Sequence, residues 1–107
     1  MTADALTVPA LDWTGETNAR VSGQGYSMEA AGLLLQRAIE QGARRAAGSD
    51  VCPVSVTLDT TAVAEGAGPL SFVVAIDRKT RTLVFAHGSA TENSHTLMTA
   101  TAVFRIL

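Results

Sequence analysis

The longest regular pattern of apolar positions covers residues 27–47. This stretch is rich in good helix formers and contains no proline. Its first two turns are apolar on every side, as in a buried helix, whereas its second half carries polar residues along one side only. Ser27 suits the N-cap, and Gly48 suits the end of a helix. The sequence therefore predicts one long helix that is deeply buried at its start and reaches the surface toward its end.

After Gly48 the period changes from helical to alternating, which is the pattern of β-strands. Strands are predicted at residues 54–63, 70–77, 82–89 and 96–107, and a shorter one at 17–22. Their connections contain Gly and Pro, the tight turn Arg78-Lys79-Thr80, and the polar residues 91–94. Short turns between successive strands predict an antiparallel meander. On these strands, two groups of residues are each predicted to share a face: Val54, Val56, Leu58 and Ala62 in the first, and Leu83, Phe85 and His87 in the second.

Two segments resemble a known family. GYSMEAAGLLL, residues 25–35, resembles the loop and helix entry of 4-hydroxybenzoyl-CoA-thioesterase-like proteins, and MTATAVFR, residues 98–105, resembles the end of the last strand in that superfamily. The order of strands, Gly/Pro loop and basic turn is also similar. The resemblance implies an α+β hotdog fold, in which a curved antiparallel sheet wraps one long central helix. We predict a weakly ordered N-terminal arm at residues 1–16 and a single hotdog domain at 17–107.

Composition narrows the class of protein. Of the 107 residues 47% are hydrophobic and 17% charged, and the net charge is −2. No basic block is longer than a pair, which argues against nucleic acid binding. The first residues lack the basic and apolar runs of a signal peptide, and no apolar run approaches the ~20 residues of a membrane span. A cytoplasmic protein that binds neither nucleic acid nor membrane is expected.

The resemblance implies a site at the amino end of the helix. In that family an acyl-CoA lies at a subunit interface, with its thioester carbonyl at this end. Free backbone N–H groups there stabilise a developing oxyanion. Gly25, Tyr26 and Ser27 are the candidate substrate-binding residues. The alternative is that Gly25 only shapes a turn and Ser27 only caps the helix.

Hotdog thioesterases also use a carboxylate as nucleophile or general base. The two positions at which the family carries it correspond to Ser22 and Leu33, and neither is acidic here. The nearest carboxylate is that of Glu29, in the first helical turn, and Glu29 is the candidate catalytic residue. Alternatively, Glu29 only compensates the helix dipole.

Arg78, Lys79 and Arg81 form a basic cluster around one turn. In a hotdog dimer such a turn would bind the phosphates of CoA through charge-assisted hydrogen bonds. A solvated hairpin tip is the alternative.

Other candidate chemistry is weak. Gly23 and Gly25 begin a GxGxxG pattern, but no βαβ unit surrounds them. Cys52 is interpreted as a small buried apolar residue, and His87 as a core or interface residue. Two histidines and one cysteine give no metal pattern, so no metal and no cofactor beyond a CoA thioester is expected.

Three functions remain. The first is a thioesterase-like homodimer, possibly a tetramer, that hydrolyses or binds a small acyl or aroyl thioester. Edge pairing of two sheets would remove the exposed edge of each. The second is a non-catalytic hotdog protein that binds an acyl group or only assembles. The third is a relative of double-bond hydratases, whose Asp/His pairing near the helix start is not visible here.

Overall fold

The computed structural model describes residues 9–23, 25–63 and 68–107, so residues 1–8 of the predicted arm lie outside it. One helix packs on one six-stranded antiparallel sheet, with strand order β1-β2-β4-β5-β6-β3. The elements are β1 (Asp12–Trp13), β2 (Asn18–Val21), α1 (Met28–Ala47), β3 (Val51–Thr60), β4 (Leu70–Lys79), β5 (Leu83–Glu92) and β6 (His95–Ile106).

The ends of α1 follow from local capping. The Oγ atom of Ser27 accepts a hydrogen bond from the Ala30 N–H at 3.1 Å, and the Ser27 carbonyl accepts one from Ala31. At the other end Gly48 adopts φ +70°, and its N–H donates to the Arg44 carbonyl. A left-handed residue after the last turn is most easily a glycine. The predicted helix boundaries are confirmed.

The helix crosses the strands rather than following them. Strand pairing places four residues of four strands in one row beneath it: Leu58, Ala100, Gly88 and Val74. Three residues of α1 lie over this row, from its Leu58 end to its Val74 end: Gly32, Ile39 and Gly42. The start of α1 therefore lies at the β3 edge of the sheet, and its second half lies near β2 and β4.

On β5, the prediction that Leu83, Phe85 and His87 share a face is confirmed, but the strand turns that face away from the helix. Its helix side carries Val84, Ala86, Gly88 and Ala90, and Leu83, Phe85 and His87 lie on the outer face. The reason is the close approach of the helix. A Cβ atom on Gly88 would lie 2.8 Å from the Val73 carbonyl oxygen and 3.0 Å from Cγ1 of Ile39. Residues with small side chains must therefore face α1 near Gly88, and this requirement, not the apolar residues at the start of β5, decides which face of the strand points inward.

The strand β3 forms an exposed edge. It pairs with β6 on one side and with no other strand of the described residues. A register shift between Pro53 and Ser55 displaces Val54, which is 62% exposed, so the prediction that Val54 shares the face of Val56 and Leu58 is wrong. Leu58 does lie on the helix side, yet it remains 44% exposed.

The start of α1 is less buried than predicted. Leu33 is 41% exposed, Met28 is only half-buried, and Glu29 is exposed. Farther along the helix, the residues that face the sheet, such as Leu35, Ala38 and Ile39, are fully covered. Because β3 is the last strand on this side, nothing in the described chain covers the outer flank of the first two turns.

Two of the three basic residues belong to a strand rather than to the turn. Arg78 and Lys79 lie in β4, after a register shift that follows Ile76. The β4–β5 turn comprises residues 80–82, and the Thr80 N–H donates to the Leu83 carbonyl at 2.8 Å. The predicted turn at residues 78–80 is therefore displaced toward Arg81.

Candidate functional site

A groove opens between the start of α1 and the β3 edge, with a volume of about 200 Å³. Its walls are largely apolar, formed by Met28, Gly32, Leu33, Leu58 and Met98. Three polar side chains lie along it: Glu29, Gln36 and Thr60. We call it the helix-start groove. An apolar cleft with a few polar groups is the usual form of a small-molecule site.

Glu29 is the acidic residue of this groove. It lies in the first helical turn, one turn before Leu33, so the two side chains lie on the same face of α1. Leu33 stands where the family resemblance implies an acid, and its exposed side chain forms part of the groove wall. Ser22, the other such position, is exposed and does not line the groove. The structure thus brings one carboxylate to an apolar site.

The loop before the helix is held by its own side chains. The hydroxyl of Tyr26 donates to the Ser22 carbonyl and lies against Gly23, which has φ +95°. Gly25 also has a positive φ, +82°. Both glycines therefore adopt a backbone conformation that other residues avoid. Gly25 and Ser27 are exposed beside the amino end of α1, and none of the three predicted binding residues is a wall of the groove.

The basic cluster does not lie at this groove in a single chain. Lys79 belongs to a different cross-strand row from Leu58, one that continues through Val84, Phe104 and Pro53. Strand rise and strand spacing then separate Lys79 from the groove by about 20 Å. Arg105, which the sequence did not single out, pairs with Leu83 at the same end of the sheet.

The remaining candidates lie elsewhere. Nδ1 of His87 is 2.7 Å from Oδ1 of Asp77, and both side chains are about half exposed on the outer face of the sheet. His87 is therefore not a core residue, and its interpretation as an interface residue stays a prediction. Cys52 is partly exposed on the edge strand. Among the described residues, no three His, Cys, Asp or Glu side chains could hold a metal ion, and no described helix is long and apolar enough to cross a membrane.

Solved structures with the same architecture decide the fold. A predicted thioesterase related to phenylacetic acid degradation, from Ralstonia eutropha, superposes with a TM-score of 0.74 over 97% of this chain at 16% identity. The BH2602 protein of Bacillus halodurans, solved with CoA, gives 0.71 over 84% at 17% identity. The chain has the hotdog fold. This confirms the predicted α+β architecture and, at the level of the fold, the resemblance to thioesterases.

A third similar structure is the TesB protein of Mycobacterium avium subspecies paratuberculosis, with a TM-score of 0.69 over 91% of this chain at 22% identity. The hotdog chain matches 88% of the Ralstonia protein, 66% of the Bacillus protein and 39% of the Mycobacterium protein. No protein-family model matches the sequence, and no curated protein matches it.

Sequence reasoning found the helix end and Glu29 but missed most of the groove. Leu58, Thr60 and Met98 reach it only because β3 pairs with β6 and the helix crosses both. The feature of the sequence that could have indicated them is the set of apolar residues on one face of β3. In a single chain Leu58 of this set remains 44% exposed.

Proposed function

We propose that this hotdog protein binds and hydrolyses a small acyl or aroyl thioester in the helix-start groove, at the interface of a homodimer. One observation carries the proposal: a carboxylate, that of Glu29, lies along an apolar groove at the amino end of a long helix. Fold likeness to predicted thioesterases and to a structure solved with CoA supports the class of ligand.

The amino end of the helix would stabilise the negative charge that develops on the thioester carbonyl oxygen. The N–H groups of a first helical turn have no partner within the helix, and they point out of its amino end. The N–H of Ala30 donates its hydrogen bond to the Oγ atom of Ser27. The N–H of Glu29 makes no hydrogen bond with the described part of the chain. A thioester carbonyl directed at this N–H would gain hydrogen-bond and dipole stabilisation as its oxygen becomes negative.

Glu29 would act as the general base. Its carboxylate lies in the same turn as the N–H groups, which suits removal of a proton from a water molecule that attacks the bound carbonyl. The apolar walls formed by Met28, Leu33, Leu58 and Met98 would hold an acyl chain or ring and exclude bulk water from it. We assign Gly25, Tyr26 and Ser27 to the carbonyl side of the ligand.

A homodimer would complete the site. β3 is a free edge of ten residues with exposed apolar side chains, which soluble proteins usually cover. Antiparallel pairing of β3 with a second copy would bring the basic end of that copy's sheet to the groove end of this one. Arg78, Lys79 and Arg81 of the copy would then lie toward the groove of this chain, and we assign them to the phosphates of CoA.

We expect Leu58→Lys to convert the dimer to a monomer. Leu58 is 44% exposed on the edge strand, so the lysine leaves the folded chain intact but adds a charge to the apolar pairing surface. Sedimentation at several protein concentrations measures the result. Val73→Lys is the matched control because Val73 is similarly exposed, at 48%, but lies on β4, away from the β3 edge. A dimer that persists in Leu58→Lys contradicts edge pairing.

A non-catalytic acyl-binding protein is the second candidate. Leu33 favours it, because this apolar side chain lines the groove where the family resemblance implies an acid. Such a protein would use the same groove and the same dimer without turnover.

Thiol release from a panel of short, medium and aromatic acyl-CoAs tests both candidates. We expect saturable hydrolysis of at least one member. No turnover, together with a higher melting temperature in the presence of acyl-CoA, would contradict hydrolysis and support the non-catalytic acyl-binding candidate. Neither turnover nor a shift in melting temperature would contradict both candidates.

A further inference from the structure

A second groove lies at the other end of α1, beside the β1–β2 hairpin, with a volume of about 270 Å³. Its apolar wall consists of Gly42, Ala46, Val74 and Ile76, and Arg45, Thr17 and Glu16 form its polar rim. We call it the Arg45 groove. Gly32 and Gly42 are ten residues apart on α1, so about 15 Å of helix separates the two grooves.

The guanidinium of Arg45 is held in place by two contacts, and one of its partners is itself fixed by a hydrogen bond. Its Cζ atom lies 3.9 Å from the centroid of the Trp13 ring, and its Nη2 atom donates to the Glu16 carbonyl oxygen at 2.8 Å. The Trp13 indole in turn donates to Oε1 of Gln41 at 2.6 Å. A stacked and hydrogen-bonded arginine loses less entropy on binding a ligand than a free one.

The charge of Arg45 is not neutralised by the described chain. Its neighbour Arg44 forms ion pairs with Glu40 at 3.3 Å and with Asp50 at 2.9 Å. Arg45 forms no ion pair with the described residues. Its contact with Glu16 is a hydrogen bond to the backbone carbonyl oxygen, not to the carboxylate. Of the five N–H donors of a guanidinium, Arg45 uses one on Glu16, which leaves donors for an anion.

A second cation lies on the same side. Lys79 pairs with Val84, which faces the helix, so Lys79 is on the same face of β4 as Val74 and Ile76. Ile76 itself is 38% exposed at the groove wall. The guanidinium of Arg45 beside an apolar wall matches a ligand that carries one negative group on a small apolar body.

We propose that the Arg45 groove binds a small apolar carboxylic acid as its anion. The carboxylate accepts hydrogen bonds from the guanidinium fork of Arg45, and the apolar part of the acid lies against Ala46, Val74 and Ile76. Planar, two-point geometry is what distinguishes carboxylate recognition by arginine from that by a simple point charge. This site does not depend on thioester hydrolysis in the helix-start groove.

Titration with benzoate and hexanoate tests the proposal, because Trp13 is the only tryptophan and stacks on Arg45. We expect a saturable change in its fluorescence and a rise in melting temperature with either acid. Benzamide, which lacks the charge, and inorganic phosphate, which lacks the apolar body, are expected to give neither. No saturation with either acid, or equal responses to benzamide or phosphate, would overturn the proposal.

Variants locate the binding. We expect Arg45→Gln to weaken benzoate binding at least tenfold, and Arg44→Gln, its exposed neighbour outside the groove, to leave binding unchanged. Ala46→Leu keeps Arg45 and a good helix former but fills the groove, so it also abolishes binding. If Ala46→Leu binds benzoate as the unchanged protein does, the acid lies elsewhere and the proposal fails, even where Arg45→Gln affects stability. Binding in the helix-start groove would survive both groove variants.

Discussion

Glu29→Gln is expected to lower kcat for thioester hydrolysis by about 10²–10⁴-fold, the usual contribution of a general base. The amide keeps the size and hydrogen-bonding capacity of the side chain but cannot accept a proton from water. KM is expected to change little, because the apolar walls of the groove are unaltered. Steady-state thiol release with the best acyl-CoA of the panel gives both constants.

The control for this variant is Glu40→Gln, the same change on the same helix. Glu40 pairs with Arg44 and does not line the helix-start groove. Both substitutions remove one surface charge from α1, which costs at most about 1 kcal/mol of stability. Glu40→Gln is therefore expected to retain full activity. Unchanged turnover in Glu29→Gln would remove Glu29 from the mechanism, and equal losses in both variants would indicate a general effect on the helix.

Gly88→Ala is expected to lower the free energy of unfolding by about 1–3 kcal/mol, the typical cost of overpacking a core. The added methyl would lie 2.8 Å from the carbonyl oxygen of Val73, which is backbone and cannot turn aside, and 3.0 Å from Ile39. For a domain of about this size, each kcal/mol lowers the melting temperature by about 4–8 °C. Denaturant unfolding followed by circular dichroism measures the change.

Gly32→Ala is the matched control for Gly88→Ala. A methyl at Gly32 lies 3.5 Å from Cδ1 of Leu58, an ordinary contact. Alanine also favours a helix over glycine by about 0.8–1.0 kcal/mol. Gly32→Ala is therefore expected to be as stable as the original chain or more so. Similar destabilisation by both substitutions would mean that the close approach of helix and sheet at Gly88 is not what limits packing.

The parts of the fold that local chemistry determines were predictable from the sequence. The helix begins after Ser27 and ends before Gly48 because each residue satisfies backbone groups within its own turn. The inward face of β6 was also predictable, since Met98, Ala100, Ala102 and Phe104 recur at every second position. In both cases, residues close in the sequence decide the outcome.

The errors and omissions have a different origin. The sequence does not show which face of β5 turns to the helix, because the start of the strand is apolar on both faces and the choice depends on the space that Ile39 of α1 leaves above Gly88. The displacement of Val54 depends on the register shift beside Pro53. In the helix-start groove, Glu29 was predictable because it lies in the first helical turn. Leu58 and Met98 reach the same groove only through strand pairing. The contact of Trp13 with Arg45 joins residues far apart in the chain, so alternation and helical period carry no sign of it.

The edge position of both grooves has a consequence for how the chain folds. The strands β4, β5 and β6 are joined by tight turns, so their pairing closes only short loops. The outer strands join them across about half the chain, Asn18 with Val73 and Val51 with Ile106. Such pairings carry a larger loop-closure entropy. Among the described strands, β3 is bonded on one side, and β2 has only the two-residue strand β1 on its outer side. We therefore expect the meander to form early and open last, and both grooves to be completed late and open first, which hydrogen exchange would measure.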